Sequence, residues 1–203
     1  MDETRRERKK RQTKELLAET AIRLFGEQGY EQTTVAQIAS AADVATKTFF
    51  NHFPSKEDVL FADTLRRGRV PLDVIADRQP GETVADLLIR AYEAMLADFR
   101  VQGVGRDDPA LVETYTHLLM TVPALQAKAL HLMFDVQREV ATALANACPD
   151  ELDPISAAAA VGALMGATQG VGLASLELGQ SEEEFWVSMR RGIDVAVQGL
   201  RSL

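Results

Sequence analysis

The feature that most constrains this 203-residue chain is a hydrophobic period of 3.6 residues that recurs almost from end to end. Val84, Leu87, Leu88, Ala91, Tyr92, Met95, Leu96 and Phe99 fall on one face of a helix. No segment carries the alternation of a half-buried strand. From Thr13, the residues Leu16, Leu17, Ala21, Leu24 and Phe25 line a helical face, with Gly29 as the stop. Thr34 and Gln37 form a capping box that opens a short helix to Ser40. A second short helix starts at Val44 and stops before Pro54. Ser55 caps a helix running through Val59, Leu60, Phe61 and Leu65 to Arg67, and "RVPLDVIADRQPGET" (69–83) breaks the pattern. Asp108-Pro109, Pro123, Asp153-Pro154 and Ser181 with Glu184 start four more helices. The fold class is all-α, with about nine helices.

The two short helices, 34–40 and 44–53, have the size of a helix-turn-helix. Val35, Ile38, Ala39, Val44, Phe49 and Phe53 point inward. That leaves Ala45, Thr46, Lys47, Thr48, Asn51 and His52 on another face. These residue types can donate to phosphates, meet base edges, or lay methyl groups on thymine. Lys56 and the N–H groups of the following helix make a phosphate site. A three-helix packing unit with a solvated polar face has the same pattern.

The net charge of −8 is unevenly placed. Residues 1–60 hold ten Lys/Arg and ten Asp/Glu, so the remainder carries all of the excess. Seven of those cations lie within the first 14 residues, in "TRRERKKRQTK", either as an arm along phosphates or as a solvated, frayed terminus. One cysteine, Cys148, excludes an intramolecular disulfide and argues against a cysteine-based zinc site. With no apolar run after Met1, the expected compartment is a reducing cytoplasm.

Pro154 to Leu176 is uncharged over 23 residues. A membrane span is rejected, because bulky apolar residues are few and both flanks are acidic. Ala158, Gly162, Gly166, Gly170 and Ala174 instead form a small-residue stripe for close helix packing, either within the chain or across a two-fold axis.

Residues 13–61, including "AIRLFGEQGYEQTTVAQIASAADV" and "TFFNHFPSKEDVL", resemble the DNA-binding domain of the TetR family of transcriptional regulators. The resemblance implies a DNA-binding domain over 1–54 and a ligand-binding and dimerisation domain over 55–203. It makes Val44–His52 the recognition helix. Phosphate contacts are implied for Thr34, His52 and Lys56, and base or thymine-methyl contacts for Thr46, Lys47 and Thr48. Three positions depart from the family pattern. Asp43 stands where the turn usually has glycine, Phe50 where tyrosine is common, and Ala36 where some members present a long polar side chain. Phe50 keeps an aromatic face towards DNA, and Ala45 and Asn51 complete the surface.

The resemblance further implies a homodimer paired through its last two long helices, with Gly162, Gly166, Gly170, Phe185, Met189 and Ile193 at the interface. Its two recognition helices would stand about 34–36 Å apart on a near-palindromic double-stranded operator. It implies a small apolar effector, for which Tyr92, Met95, Phe99, Tyr115, Leu119, Met133 and Gln169 are the candidate lining; plain core filling is the alternative for each. The expected function is a dimeric repressor released by that effector. A ligand-independent regulator or an activator is the alternative. Catalysis is not expected: His117 and His131 stand alone, Glu113 and His117 lack a second carboxylate–histidine pair, and no phosphate loop or nucleophile elbow is present. No cofactor or metal is expected.

Overall fold

The structure, a computed structural model, describes residues 4–102 and 108–200. Among the described residues there are nine α-helices and no strand: α1 (Arg5–Gln28), α2 (Val35–Ala41), α3 (Thr46–His52), α4 (Thr64–Ala76), α5 (Val84–Gln102), α6 (Pro109–Thr121), α7 (Pro123–Ala147), α8 (Pro154–Glu177) and α9 (Glu182–Leu200). A 3₁₀ turn, Glu57–Phe61, lies between α3 and α4. The chain divides into two compact units, residues 1–66 with 98–132 and residues 67–97 with 133–203.

The expected caps are present. Thr34 and Gln37 close a reciprocal box on α2, Asp108 accepts from the Leu111 N–H, and Asp153 accepts from Ile155 and Ser156. Ser181 and Glu184 cap α9 in the same way. The basic N-terminal run is helical from Arg5 onward. Thr4 and Glu7 form a further capping box, and Arg11 pairs with Glu15 at 3.0 Å one turn on.

Two expectations are corrected. The helix expected from Ser55 to Arg67 is split into the 3₁₀ turn and the start of α4. The break expected over 69–83 narrows to the residues after Ala76, because α4 continues through Pro71. Proline inside a helix costs about 3 kcal/mol or more in isolation. Here its ring is buried beside Leu88, Val136 and Val161, so packing offsets a penalty that local propensity counts in full.

The first unit closes on Leu17, Ile22, Phe25, Ile38, Phe49, Phe53, Val59 and Leu60, with Leu111, Leu118 and Leu125 added from α6 and α7. The second closes on Ile75, Leu87, Leu88, Leu144, Val161, Leu164, Ile193 and Val197. In it, α8 and α9 pack along their length.

Candidate nucleic-acid interface

The presented surface is built on α2 and α3. Ile38 and Ala39 bury one face of α2, while Phe49 and Phe53 bury one face of α3, their rings 5.5 Å apart. The turn between the helices depends on Asp43, whose φ of 53° is left-handed. Aspartate adopts that conformation more readily than most residues, so the absence of glycine there is tolerated. Ala45, in extended conformation, then starts α3.

With the phenylalanines fixed, seven-residue α3 has one face left. Ala45, Thr46, Lys47, Phe50 and Asn51 are exposed, and Thr48 and His52 are half-buried. Phe50 is 53% exposed, a large uncovered ring among polar neighbours. Burial first, then the nearby Lys10 and Lys14 ammonium groups, hold the His52 imidazole below the ordinary histidine pKa. It is therefore neutral at pH 7, with Nδ1 buried and without a hydrogen-bond partner. Thr34 is exposed at the start of α2, its hydroxyl and N–H both engaged with Gln37.

Lys56 is placed differently. Its ammonium donates to the backbone carbonyls of Tyr30 at 2.8 Å and Thr33 at 3.3 Å, and lies 4.0 Å from the centre of the Tyr30 ring. Three supporting residues are not found by periodicity. Tyr30 donates its phenol to Glu57 at 2.6 Å. Lys14 donates to the Ala62 carbonyl and stands 5.9 Å from the Phe53 ring. Because these partners lie 27 and 48 positions apart, no helical spacing signals them.

In the second unit, Tyr92 and Met95 line a small apolar void with Leu88, Val140, Leu164 and Met165. Its free volume is about 10 Å³, the space of one water. The Tyr92 hydroxyl bonds Thr168, which is itself bonded to the Leu164 and Met165 carbonyls. The other expected lining residues lie elsewhere. Phe99 and Gln169 are exposed, Tyr115 and Leu119 pack on the core of the first unit, and Met133 is half-buried outside this void.

The glycine stripe of α8 divides. A Cβ at Gly162 would meet the Gln137 amide at 2.8 Å, so that position serves packing within the chain. Gly166 and Gly170 have nothing within 4 Å of the same point. Ile193 faces the chain's own core, while Phe185 and Met189 are half-buried. Ile155, Leu173, Val187 and Val195 are exposed large hydrophobics along α8 and α9. α8 is long and apolar enough to cross a membrane by length and composition alone.

Two short helices whose aromatic side is buried and whose polar side is open, followed by a helical remainder, have the layout of a helix-turn-helix. Over residues 17–62 the chain matches the family of bacterial regulatory proteins described as the tetR family. It is 34% identical over 140 residues to the HTH-type transcriptional regulator TcmR of Streptomyces glaucescens, a match covering 69% of this chain and 62% of TcmR. It is 49% identical over 41 residues to HbdR of Aromatoleum sp. (strain CIB), covering 20% of this chain and 18% of HbdR. The chain thus spans less than two thirds of the length of these relatives. A solved structure assigned to the TetR family, from Mesorhizobium loti MAFF303099, shares the fold with a TM-score of 0.57 at 15% identity, covering 97% and 98% of the two chains. A SmeT–triclosan complex does so with 0.58 at 15%, covering 92% and 90%.

Proposed function

We propose that this chain is a sequence-specific DNA-binding transcriptional regulator that acts as a homodimer on a near-palindromic operator. The observation that carries the reading is the open face of α3. Ala45, Thr46, Lys47, Phe50 and Asn51 stand clear of the protein on a helix locked from behind by Phe49 and Phe53. Thr46, Lys47 and Thr48 read base edges or thymine methyls, and Thr34, Asn51 and His52 meet phosphates. The basic first turns of α1 add sequence-independent attraction to the backbone. Residues 1–54 form the DNA-binding domain and 55–203 the effector and dimerisation domain. Such a protein works in the cytoplasm without a cofactor or catalytic step.

The dimer reading is supported by the uncovered face of α8, where Ile155, Gly166, Gly170 and Leu173 present apolar surface without charge. A second copy packed there would remove it from water, and the acidic flanks disfavour a lipid occupant. The effector reading places a small apolar molecule beside Tyr92 and Met95. SmeT, of the same fold, has been solved with triclosan. A void of about 10 Å³ admits such a molecule only if the helices part, so the effector must favour a second conformation of this unit. The closeness of that void also favours the second reading, a regulator that needs no ligand.

Selection of bound fragments from the source genome by the purified protein tests the reading. One enriched palindrome is the expected outcome, and no enrichment in any salt overturns it. A set of hydrophobic compounds that never shifts the melting temperature would favour the ligand-independent form.

A further inference from the structure

The segment leading into α2 is held by two neighbouring residues of opposite charge. Gly29 leaves α1 with φ 88°, and Thr33 donates its hydroxyl back to the Gly29 carbonyl at 2.8 Å. Thr34 follows at once as the N-cap of α2. The carbonyls of Tyr30 and Thr33 are both taken by the Lys56 ammonium, which also lies over the Tyr30 and Phe25 rings at 4.0 and 6.0 Å. The next residue, Glu57, accepts the Tyr30 phenol at 2.6 Å. That bond holds the Glu57 carboxyl below its ordinary pKa. Together with burial, the largest cause, it pushes Tyr30 far above the usual tyrosine value.

An ammonium has three donors, and here two are spent on carbonyls within four residues of the α2 cap. Ring faces add attraction for the same charge. A third N–H remains, but the two carbonyls and the rings hold the ammonium against the 29–33 turn, and a phosphate that drew it away would leave both acceptors unmet in a partly buried site. We propose that Lys56 is a positioning residue of the DNA-binding surface and not one of its phosphate contacts. It clamps the 29–33 turn so that Thr34 and α2 meet DNA in register. The proposal rests on the DNA-binding reading above, and it reassigns the role that the family resemblance implies for this lysine.

The test uses the full chain, the palindrome selected by the unsubstituted protein, and binding measured from 50 to 200 mM salt well below each melting temperature. A lost phosphate contact lowers the salt slope by about 0.9, whereas a lost strut weakens binding at every salt with the slope unchanged. Lys56→Met, which keeps the stem and removes the charge, is expected to bind on the order of tenfold more weakly with an unchanged slope. Lys56→Arg, whose fork can reach two carbonyls, is expected to restore most of the affinity. A slope reduced by about 0.9, or an affinity unaltered by Lys56→Met, overturns the proposal. Should Lys56→Met not fold, Lys56→Gln, which removes the charge but keeps N–H donors, is read the same way: an unchanged slope is expected, and a slope reduced by about 0.9 overturns the proposal equally. If the unsubstituted protein selects no DNA, the underlying reading has failed, and that result is separate from either outcome for Lys56.

Discussion

Gly192 of α9 lies so close to Val171 of α8 that a Cβ built on the glycine would come within 2.7 Å of Val171 Cγ2 and 3.6 Å of the Ala167 carbonyl oxygen. Valine is stiff at χ1, so its methyl cannot swing aside cheaply. Two physical effects therefore oppose each other at this position. Alanine in a helix interior is favoured over glycine by about 1 kcal/mol, while forcing a methyl into a filled contact costs about 1–3 kcal/mol. Gly192→Ala should destabilise the chain by up to about 2 kcal/mol, with the denaturant midpoint falling and the slope m unchanged. A raised midpoint would show that α8 and α9 have slack here.

Gly166 is the counterpart on the open side of α8. Nothing lies within 4 Å of its built Cβ, so no neighbour in the chain resists a side chain there. If that face pairs with a second copy, Gly166→Leu pushes the copies apart and light scattering should report the monomer mass. An intact dimer carrying leucine at this position would remove the glycine stripe from the interface.

Lys47 is the cation on the exposed face of α3, and it tests sequence reading directly. A bidentate contact to guanine is worth about 1–3 kcal/mol of discrimination. Lys47→Ala should lower affinity for the selected operator by that amount and relax the preference at one base pair in each half-site. Quantitative binding to operators mutated one position at a time makes the measurement. Unchanged affinity together with unchanged preference would show that Lys47 touches neither base nor phosphate.

His52 gives a pH dependence with a defined sign. Burial, then Lys10 and Lys14, hold its pKa in the free protein below the ordinary 6.5. A phosphate beside the ring favours the imidazolium, so binding takes up a proton, and operator affinity should rise as pH falls from about 7 to about 5.5. Fold stability responds in the opposite direction. A histidine with a depressed folded pKa contributes stability that is present above the unfolded value and lost as pH falls through the folded one. The titration is therefore read well below the melting temperature, with His52→Gln as the control that should abolish the trend. A wild-type affinity that is flat across this window would place His52 away from phosphate.

The repeat of 3.6 residues and the capping pairs at Thr34–Gln37, Asp108 and Asp153 were enough to read an all-α chain, because each acts within one helical turn. The inward set of the reader was legible for the same reason. Phe49 and Phe53 occupy one helical face, and Asp43 can take the left-handed turn on its own. Local spacing did not reveal that α4 runs through Pro71, since a proline ring is tolerated only where side chains from other helices bury it. Nor did it show that Ile193 and Gly162 are used within the chain while Gly166 and Gly170 are left open, because period alone does not say which neighbour fills a face.

By itself, then, the sequence determined the helices, their caps and the polar face of α3, all of which follow from interactions no more than a few residues long. Only the tertiary structure decided the duties of individual cations. Lys47 points to solvent, whereas Lys14 is drawn to Ala62 and Phe53, and Lys56 to Tyr30 and Thr33. The carbonyls and rings that capture those two ammonium groups come from 23 to 48 positions away. Which cations remain for a partner depends on those long-range captures.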